Sequence, residues 1–325
     1  MSVVTRFAPS PTGRLHLGHA WSAVQAHDFA REHGGTFLLR IEDIDGTRSR
    51  PEHVAAILAD LEWLGLGWDG EVVFQSERLA LYDSALARLK AMGLLYPCFC
   101  TRADIAASLS APHGTEGVAY PGTCRGLVAP DLSKPHCWRL DVGRALNLPL
   151  SACGEREGAR REAVGRERGS EGATRLPLSL PPTASAPSLS PQAERGNLVW
   201  HDHGIPIDAR PHLHDDPVLA RKDAPASYHL AVTVDDAAQH VTHIVRGKDL
   251  FEATHIHCLL QALLDLPTPE YRHHALLAAS DGGRLAKRHG APTLEAMRLA
   301  GEDGRALADR LRNGQLPVGI TLAKD

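Results

Sequence analysis

An α/β fold with a nucleotide-binding core is predicted for this chain of 325 residues, and three observations predict it. The opening run Val3-Val4-Thr5-Arg6-Phe7 reads as a strand, breaks at Pro9, Pro11 and Gly13, and passes into an apolar-periodic helix. Strand-like and helix-like patterns then follow one another as far as Leu89. The composition, 43% hydrophobic and 23% charged, is that of an ordinary globular chain long enough to bury a substantial core. No run approaches the ~18 apolar residues of a membrane span, and the N-terminus carries no basic-then-apolar leader, so a cytoplasmic location without membrane contact is expected. The net charge of −4 argues against nonspecific nucleic-acid binding and leaves room for a local basic face.

The first turn is the most informative segment. In Ala8-Pro9-Ser10-Pro11-Thr12-Gly13-Arg14-Leu15-His16-Leu17-Gly18-His19 the helix start aims unpaired N–H groups and a partial positive charge at the turn, where a phosphate can sit. His16 and His19, three apart, can both face that phosphate. Arg6, at the end of the first strand, can fork onto a carboxylate as lysine cannot. Residues 21–32 read as helix, ended near Gly34-Gly35, and residues 36–41 as a buried strand. Glu42, Asp43 and Asp45 follow at that strand's carboxyl end, where open α/β sheets bind their ligands. Val54, Ile57, Leu58, Leu61 and Leu64, then Leu79, Tyr82, Leu86 and Leu89, repeat at helical spacing and are read as core.

Cys98-Phe99-Cys100 and, after a loop of 23 residues containing Tyr120, Cys124 have ligand-like spacing. Three thiolates and one further donor would close a tetrahedral structural zinc site. Spacing alone favours Cys137 as the fourth ligand, although Cys137-Trp138-Arg139-Leu140-Asp141 is also an alternating stretch in which a cysteine serves as a small buried hydrophobe. Residues 151–195 change abruptly to Arg, Glu, Gly and Ala and then to Pro, Ser and Leu, and are read as a disordered insertion. His201, His203, His212 and His214 with Asp202, Asp215 and Asp216 lack a ligand rhythm and are assigned no metal. Further on, residues 227–236 read as a loop and then a core strand, and residues 243–250 run from a strand into a helix. Gly247 beside Arg246 permits the close approach a carboxylate clamp needs. Residues 274–279 read as a strand before the Gly282-Gly283 hinge.

The string from Arg6 to His19 resembles the first signature of the class I aminoacyl-tRNA synthetases, H-I-G-H, in the form carried by the glutamate-specific branch, with Leu17 replacing the isoleucine. Arg40-Ile41-Glu42-Asp43-Ile44-Asp45 and the blocks at 227–236 and 243–250 resemble the same branch. Arg284-Leu285-Ala286-Lys287-Arg288 resembles the mobile K-M-S-K-S loop, with Lys287 at the second lysine and Arg288 where the family has serine. The resemblance implies a Rossmann-type class I synthetase catalytic domain with an inserted zinc-bearing, acceptor-type subdomain. The implied division is 1–96 and 196–290 for the catalytic halves, 97–150 for the zinc-binding insertion, 151–195 for the disordered insertion and 291–325 for a C-terminal tail.

The implied activity is ATP-dependent activation of L-glutamate. His16, His19 and Lys287 would be catalytic, countering charge on the phosphate oxygens. Arg6, Ala8, Ser10, Glu42, Tyr228 and Arg246 would surround glutamate, Glu42 receiving the α-ammonium group. Pro9, Thr12, Gly13, Gly18 and Leu285 would join the histidines and Lys287 around ATP, which Mg²⁺ accompanies. The C-x-C…Y-x-x-x-C order, together with the fewer than 40 residues that follow Lys287, resembles the queuosine-modifying members of this branch. That resemblance implies Zn²⁺ held by Cys98, Cys100, Tyr120 and Cys124, with Cys137 as the alternative to Tyr120. It also implies transfer of glutamate to the queuosine base at the wobble position of tRNA(Asp), by a monomer. Two alternatives stay open: a truncated or discriminating glutamyl-tRNA synthetase charging a CCA end, and a noncatalytic paralogue that binds glutamate or adenylate.

Overall fold

A computed structural model describes residues 2–101, 103–105, 120–148, 198–221, 224–279 and 293–323. The expected insertion at 151–195 and the 284–288 stretch, with Leu285 and Lys287, lie outside them. The first half runs β1 (Val4–Phe7), α1 (Leu17–Glu32), β2 (Thr36–Ile41), α2 (Pro51–Trp63), β3 (Val73–Phe74), α3 (Leu79–Ala91) and β4 (Leu95–Cys98). Next come β5 (Cys137–Leu140), α4 (Val142–Ala145), β6 (Val199–Asp202), β7 (Ile205–Asp208) and β8 (Val218–Ala220). The chain continues with α5 (Tyr228–Ala238), β9 (His243–Gly247), α6 (Ala253–Leu263), β10 (Glu270–His274) and β11 (Leu277–Ala279), then α7 (Leu294–Leu299), α8 (Gly304–Arg312) and β12 (Ile320–Leu322).

Two parallel groups of strands make the nucleotide-binding frame: β1–β2–β3 in one, and β9–β10–β6 in the other, which β7 extends as an antiparallel hairpin partner of β6. The groups meet where β1 runs beside the start of β9: Thr242 N–H donates to the Val4 carbonyl at 3.0 Å, and Val4 N–H donates to Thr242 Oγ1 at 2.8 Å. The order 3-2-1 continuing into β9, β10 and β6 is that of a doubly wound sheet, whose switch point falls between its first and fourth strands. Here that point is the β1/β9 junction. One apolar core packs α1, α2 and α8 against β1 and β2; the other packs α3, α5 and α6 around Trp200 and Tyr271. A small separate cluster gathers Tyr96, Cys98, Tyr120 and Cys124 beside the β4–β5–β8 sheet.

One expected element is corrected. Residues 227–236, expected to form a loop and then a core strand, fall almost wholly in helix α5, which runs Tyr228–Ala238. Every residue from Leu230 to Asp236 is buried, so no solvent face imposes a readable period on a run rich in β-branched residues. The expected strand at 274–279 is divided, β10 ending at His274 and β11 beginning at Leu277.

Candidate active site

A cavity of about 580 Å³ opens at the carboxyl ends of β1 and β9, the switch point of the sheet. It is lined from the first turn by Arg6, Ala8, Pro9, Ser10 and Thr12, by His16, Gly18 and His19 at the start of α1, by Glu42 after β2, and by Tyr228 and Arg246 from the second half. The fold thus gathers these expected residues around one space; Gly13 is not among the lining residues, and Leu285 and Lys287 lie outside the described residues. The flanks of residues 280–292 both reach this space. Leu277 lines it, and on the far side Leu294 N–H donates to the Leu15 carbonyl at 2.9 Å while Thr293 bridges His16.

The two histidines are locked by the helix they start. His16 Nδ1 accepts from Gly18 N–H at 3.2 Å, and His19 Nδ1 accepts from His16 N–H at 3.1 Å, a reciprocal capping box built from imidazoles. With both Nδ1 atoms accepting, the proton of each neutral ring belongs to Nε2, which makes Nε2 a donor. The rings lie 3.9 Å apart between centroids. Gly18 leaves room for this packing, because a Cβ there would meet His16 Cε1 at 3.1 Å and press on the ring. Capping and facing a phosphate are therefore compatible uses of the pair.

The three acidic residues after β2 part company. Asp43 accepts from Ser76 N–H and Oγ–H, and Asp45 from Thr47 and Arg48. Glu42 alone turns into the cavity, its side chain 10% exposed and 3.6 Å from Arg40. Burial pushes its carboxyl up to about 7, against the pull of Arg40 and Arg6. Behind it lies a buried charge network that sequence reading missed. Asp236 on α5 accepts from Arg6 Nε at 3.0 Å and from Arg40 Nη1 at 2.8 Å. Asp235 accepts from Gln75, Arg78 and Tyr82. Burial would raise the Asp236 carboxyl, yet Arg6 and Arg40 hold it below the usual carboxylate range. Arg6, expected to fork onto a ligand, thus reaches the cavity with its Nε already committed to Asp236.

Arg246 is held differently. Its Nη2 donates to Thr254 Oγ1 at 2.6 Å and to the Leu250 carbonyl at 3.1 Å, and its Nε donates to His273 Nε2 at 3.1 Å. Nη1 lies 3.4 Å from His257 Nδ1. Among the described residues it has no carboxylate partner. Burial, and then the charge of Arg246, lower the neighbouring imidazoles: His273 and His229 to about 4, and His257 well below its ordinary value. Gly247 lets the strand pass closely, since a Cβ there would meet Asp249 and Leu276 at 2.6 Å.

The cysteine group forms a second locus. Ligand atoms of Cys98, Cys100 and Cys124 all lie within 4.8 Å of one another, and the Tyr120 hydroxyl sits beside them, accepting from Cys98 Sγ at 3.4 Å and from Cys124 N–H at 2.9 Å. Cys137 pairs across the strands with Cys98, but its sulfur donates to the Cys98 carbonyl at 3.5 Å and is not one of the three. The histidine-rich stretch disperses. Asp202 accepts from His273, Asp215 from Tyr120 N–H, and Asp216 from Tyr96, Arg125 and Val142 N–H, tying β8 to the cysteine loop. His214 does approach Glu252 and His255, at 3.4 Å from the carboxylate. His255 Nδ1, however, accepts from both Trp200 Nε1 and Arg210 N–H, which puts a proton on the Nε2 that would have to ligate a metal.

The frame is a doubly wound nucleotide-binding sheet with its cavity at the switch point, and the comparisons place it in a ligase family. The chain belongs to the class I tRNA synthetases (E and Q), whose catalytic-domain model matches residues 2–126 and 195–324. Within that family it is similar to a protein of Rhodobacter capsulatus named Glutamyl-Q tRNA(Asp) synthetase, 46% identical over 92% of this chain and 96% of the relative. A second protein of that name, from Symbiobacterium thermophilum, is 42% identical over 94% of this chain and 84% of its own. The crystal structure of a glutamate tRNA ligase from Elizabethkingia meningosepticum shares the fold, with a TM-score of 0.68 at 24% identity. The match covers 96% of this chain and 60% of that ligase. No helix among the described residues is long and apolar enough to cross a membrane.

Proposed function

We propose that this chain activates L-glutamate with ATP, forming glutamyl-adenylate and pyrophosphate without tRNA, and transfers the glutamate to queuosine at the wobble position of tRNA(Asp). One observation carries the reading. A single cavity presents a desolvated carboxylate, a guanidinium without a carboxylate partner among the described residues, and a helix start carrying two Nε2 donors. An α-amino dicarboxylic acid beside a nucleoside triphosphate satisfies all three: its ammonium meets Glu42, one carboxylate meets Arg246, and the α-phosphate meets the start of α1. The names of the relatives supply the acceptor, which the cavity by itself does not.

In this mechanism the α-carboxylate oxygen of glutamate attacks the α-phosphorus as the bond to pyrophosphate breaks. His16 and His19, fixed by mutual capping, donate from Nε2 to phosphate oxygens that gain charge, and Mg²⁺ enters with the nucleotide as part of the substrate. Lys287 lies between two flanks that both meet the cavity, which supports its assignment to the departing phosphates. Tyr228, Ala8 and Ser10 complete the glutamate side, and Pro9, Thr12, Gly13, Gly18 and Leu285 the ATP side.

Cys98, Cys100, Cys124 and Tyr120 would hold a structural Zn²⁺, since three sulfurs and a phenol oxygen converge there while the Cys137 thiol donates to the Cys98 carbonyl. The ion would close the 97–150 insertion against its own loop. Native mass spectrometry should find one zinc per chain, lost in Tyr120→Phe on mild chelation and kept in Cys137→Ser; the reverse order would sink this ligand set.

The test of the activity is glutamate-dependent exchange of labelled pyrophosphate into ATP with no tRNA present. Exchange is expected in the wild type and should fall by about 10²–10³ in Lys287→Ala. Exchange only after tRNA(Glu) is added would favour a truncated synthetase charging a CCA end, and none under either condition would favour the noncatalytic reading.

A further inference from the structure

We infer that Asp202 and His273 are positioning residues for Arg246: together they hold its guanidinium through a neutral acceptor, leaving the charge of the arginine for the carboxylate of the substrate. The inference rests on the reading of Arg246 as that carboxylate's partner. The chain of contacts starts at Asp202, the last residue of β6, whose Oδ1 accepts both the backbone N–H of His273 and its Nδ1–H, each at 3.0 Å. A carboxylate at Nδ1 keeps the ring's proton there and leaves a lone pair on Nε2. Arg246 Nε–H donates into that lone pair at 3.1 Å. The imidazole is 1% exposed and packed by Trp200, Phe251 and Tyr271, with ring centroids 5.2 to 5.8 Å away, so it is held against turning.

The neutral link matters because a carboxylate in the place of His273 would form an ion pair with Arg246 inside the site, as Asp236 does with Arg6. A neutral imidazole satisfies the buried N–H without cancelling its charge. Among the described residues the other groups facing the guanidinium are also neutral: the Thr254 hydroxyl, the Leu250 carbonyl, the Tyr271 ring 5.1 Å away, and His257, whose Nε2 lies 3.1 Å from His229 Nδ1. Without Asp202, the ring of His273 could carry its proton on Nε2 and two donors would face each other.

The experiment is the tRNA-free exchange assay on the full chain, with KM for glutamate, KM for ATP and kcat measured separately. His273→Leu and Asp202→Ala should raise the glutamate KM by about 10- to 100-fold, the usual cost of stranding a buried donor, with the ATP KM and kcat within about threefold. His273→Gln, which keeps an acceptor for Arg246 Nε, should recover most of the loss. An unchanged glutamate KM in His273→Leu overturns the inference, as does a His273→Gln protein no better than His273→Leu. Should the leucine variant not fold, nitrogen-15 spectra of the wild-type ring decide: a neutral ring protonated at Nδ1 upholds the inference, and protonation at Nε2 overturns it. Arg246→Lys separates the two levels. If it too leaves the glutamate KM unchanged, the reading of Arg246 has failed; if it raises that KM while the His273 variants do not, only the positioning role has.

Discussion

Arg6 and Arg246 stand at the ends of the two strands that flank the switch point, each 5% exposed, and among the described residues only Arg6 has a carboxylate partner. Arg6 shares Asp236 with Arg40, inside a network that also holds Asp235, Arg78 and Tyr82. Arg246 is surrounded by imidazoles, a hydroxyl and a carbonyl. A buried charge pair costs desolvation that its Coulomb attraction offsets only when geometry is good, and the Asp236 network holds Arg6 by its Nε at the wall of the cavity. Arg246, without a carboxylate partner among the described residues, is the arginine for which a substrate carboxylate is proposed.

The contrast can be broken most forcefully at Asp236. Asp236→Asn takes from Arg6 the carboxylate on its Nε and from Arg40 the nearest of its three, leaving Asp235 and Glu42, and the free energy of unfolding should fall by about 3–5 kcal/mol in urea titrations. The matching substitution at the other arginine, His273→Gln, strands no charge and should cost about 0.5–1.5 kcal/mol. Equal losses at the two places would abolish the distinction between a compensated and an uncompensated arginine.

A smaller effect sharpens the comparison through pH. Glu42 lines the cavity with both arginines, its carboxyl raised to about 7 by burial, and an ammonium group binds its ionised form. For glutamate, kcat/KM in the exchange assay should therefore rise about tenfold per pH unit below about 7 and level off above it, reporting the free protein. The slope should vanish in Glu42→Gln; a slope that persists would assign the titration to another group. The stability of the ligand-free protein runs the opposite way. Because folding tightens this carboxyl's hold on its proton, its contribution is fully present below the ordinary value of 4.5 and is lost as pH rises through about 7.

Much of this was legible in the residues. Strand β2 falls on residues 36–41 as its apolar run predicts, and α1 extends the expected helix back to Leu17 because His16 and His19 cap it. Glu42, singled out by its position after that strand, and Arg246, singled out by its glycine neighbour and its family block, both line the cavity. Helix α5 could not be read this way. Its buried run Leu230-Ala231-Val232-Thr233-Val234 fits a core strand as well as a helix, and only its neighbours on every side decide between them. Nor could the partners of the arginines be read. Arg6 and Asp236 lie 230 residues apart, Asp202 and His273 lie 71 apart, and no local pattern announces either pair. For the cysteine group, spacing left Tyr120 and Cys137 open. The fold decides that Tyr120 lies among the sulfurs, because Cys137 is held across the β4–β5 ladder with its thiol on a carbonyl.

The amino-acid sequence by itself determined the chemistry that depends on neighbours along the chain: a strand that breaks into a capped helix, a carboxylate at a strand end, cysteines close enough to share an ion. Only the tertiary structure decided which buried charges cancel and which remain for a ligand. Charge compensation is a matter of distances of about 3 Å between groups far apart in the chain, and those distances exist only once the two halves of the sheet have met.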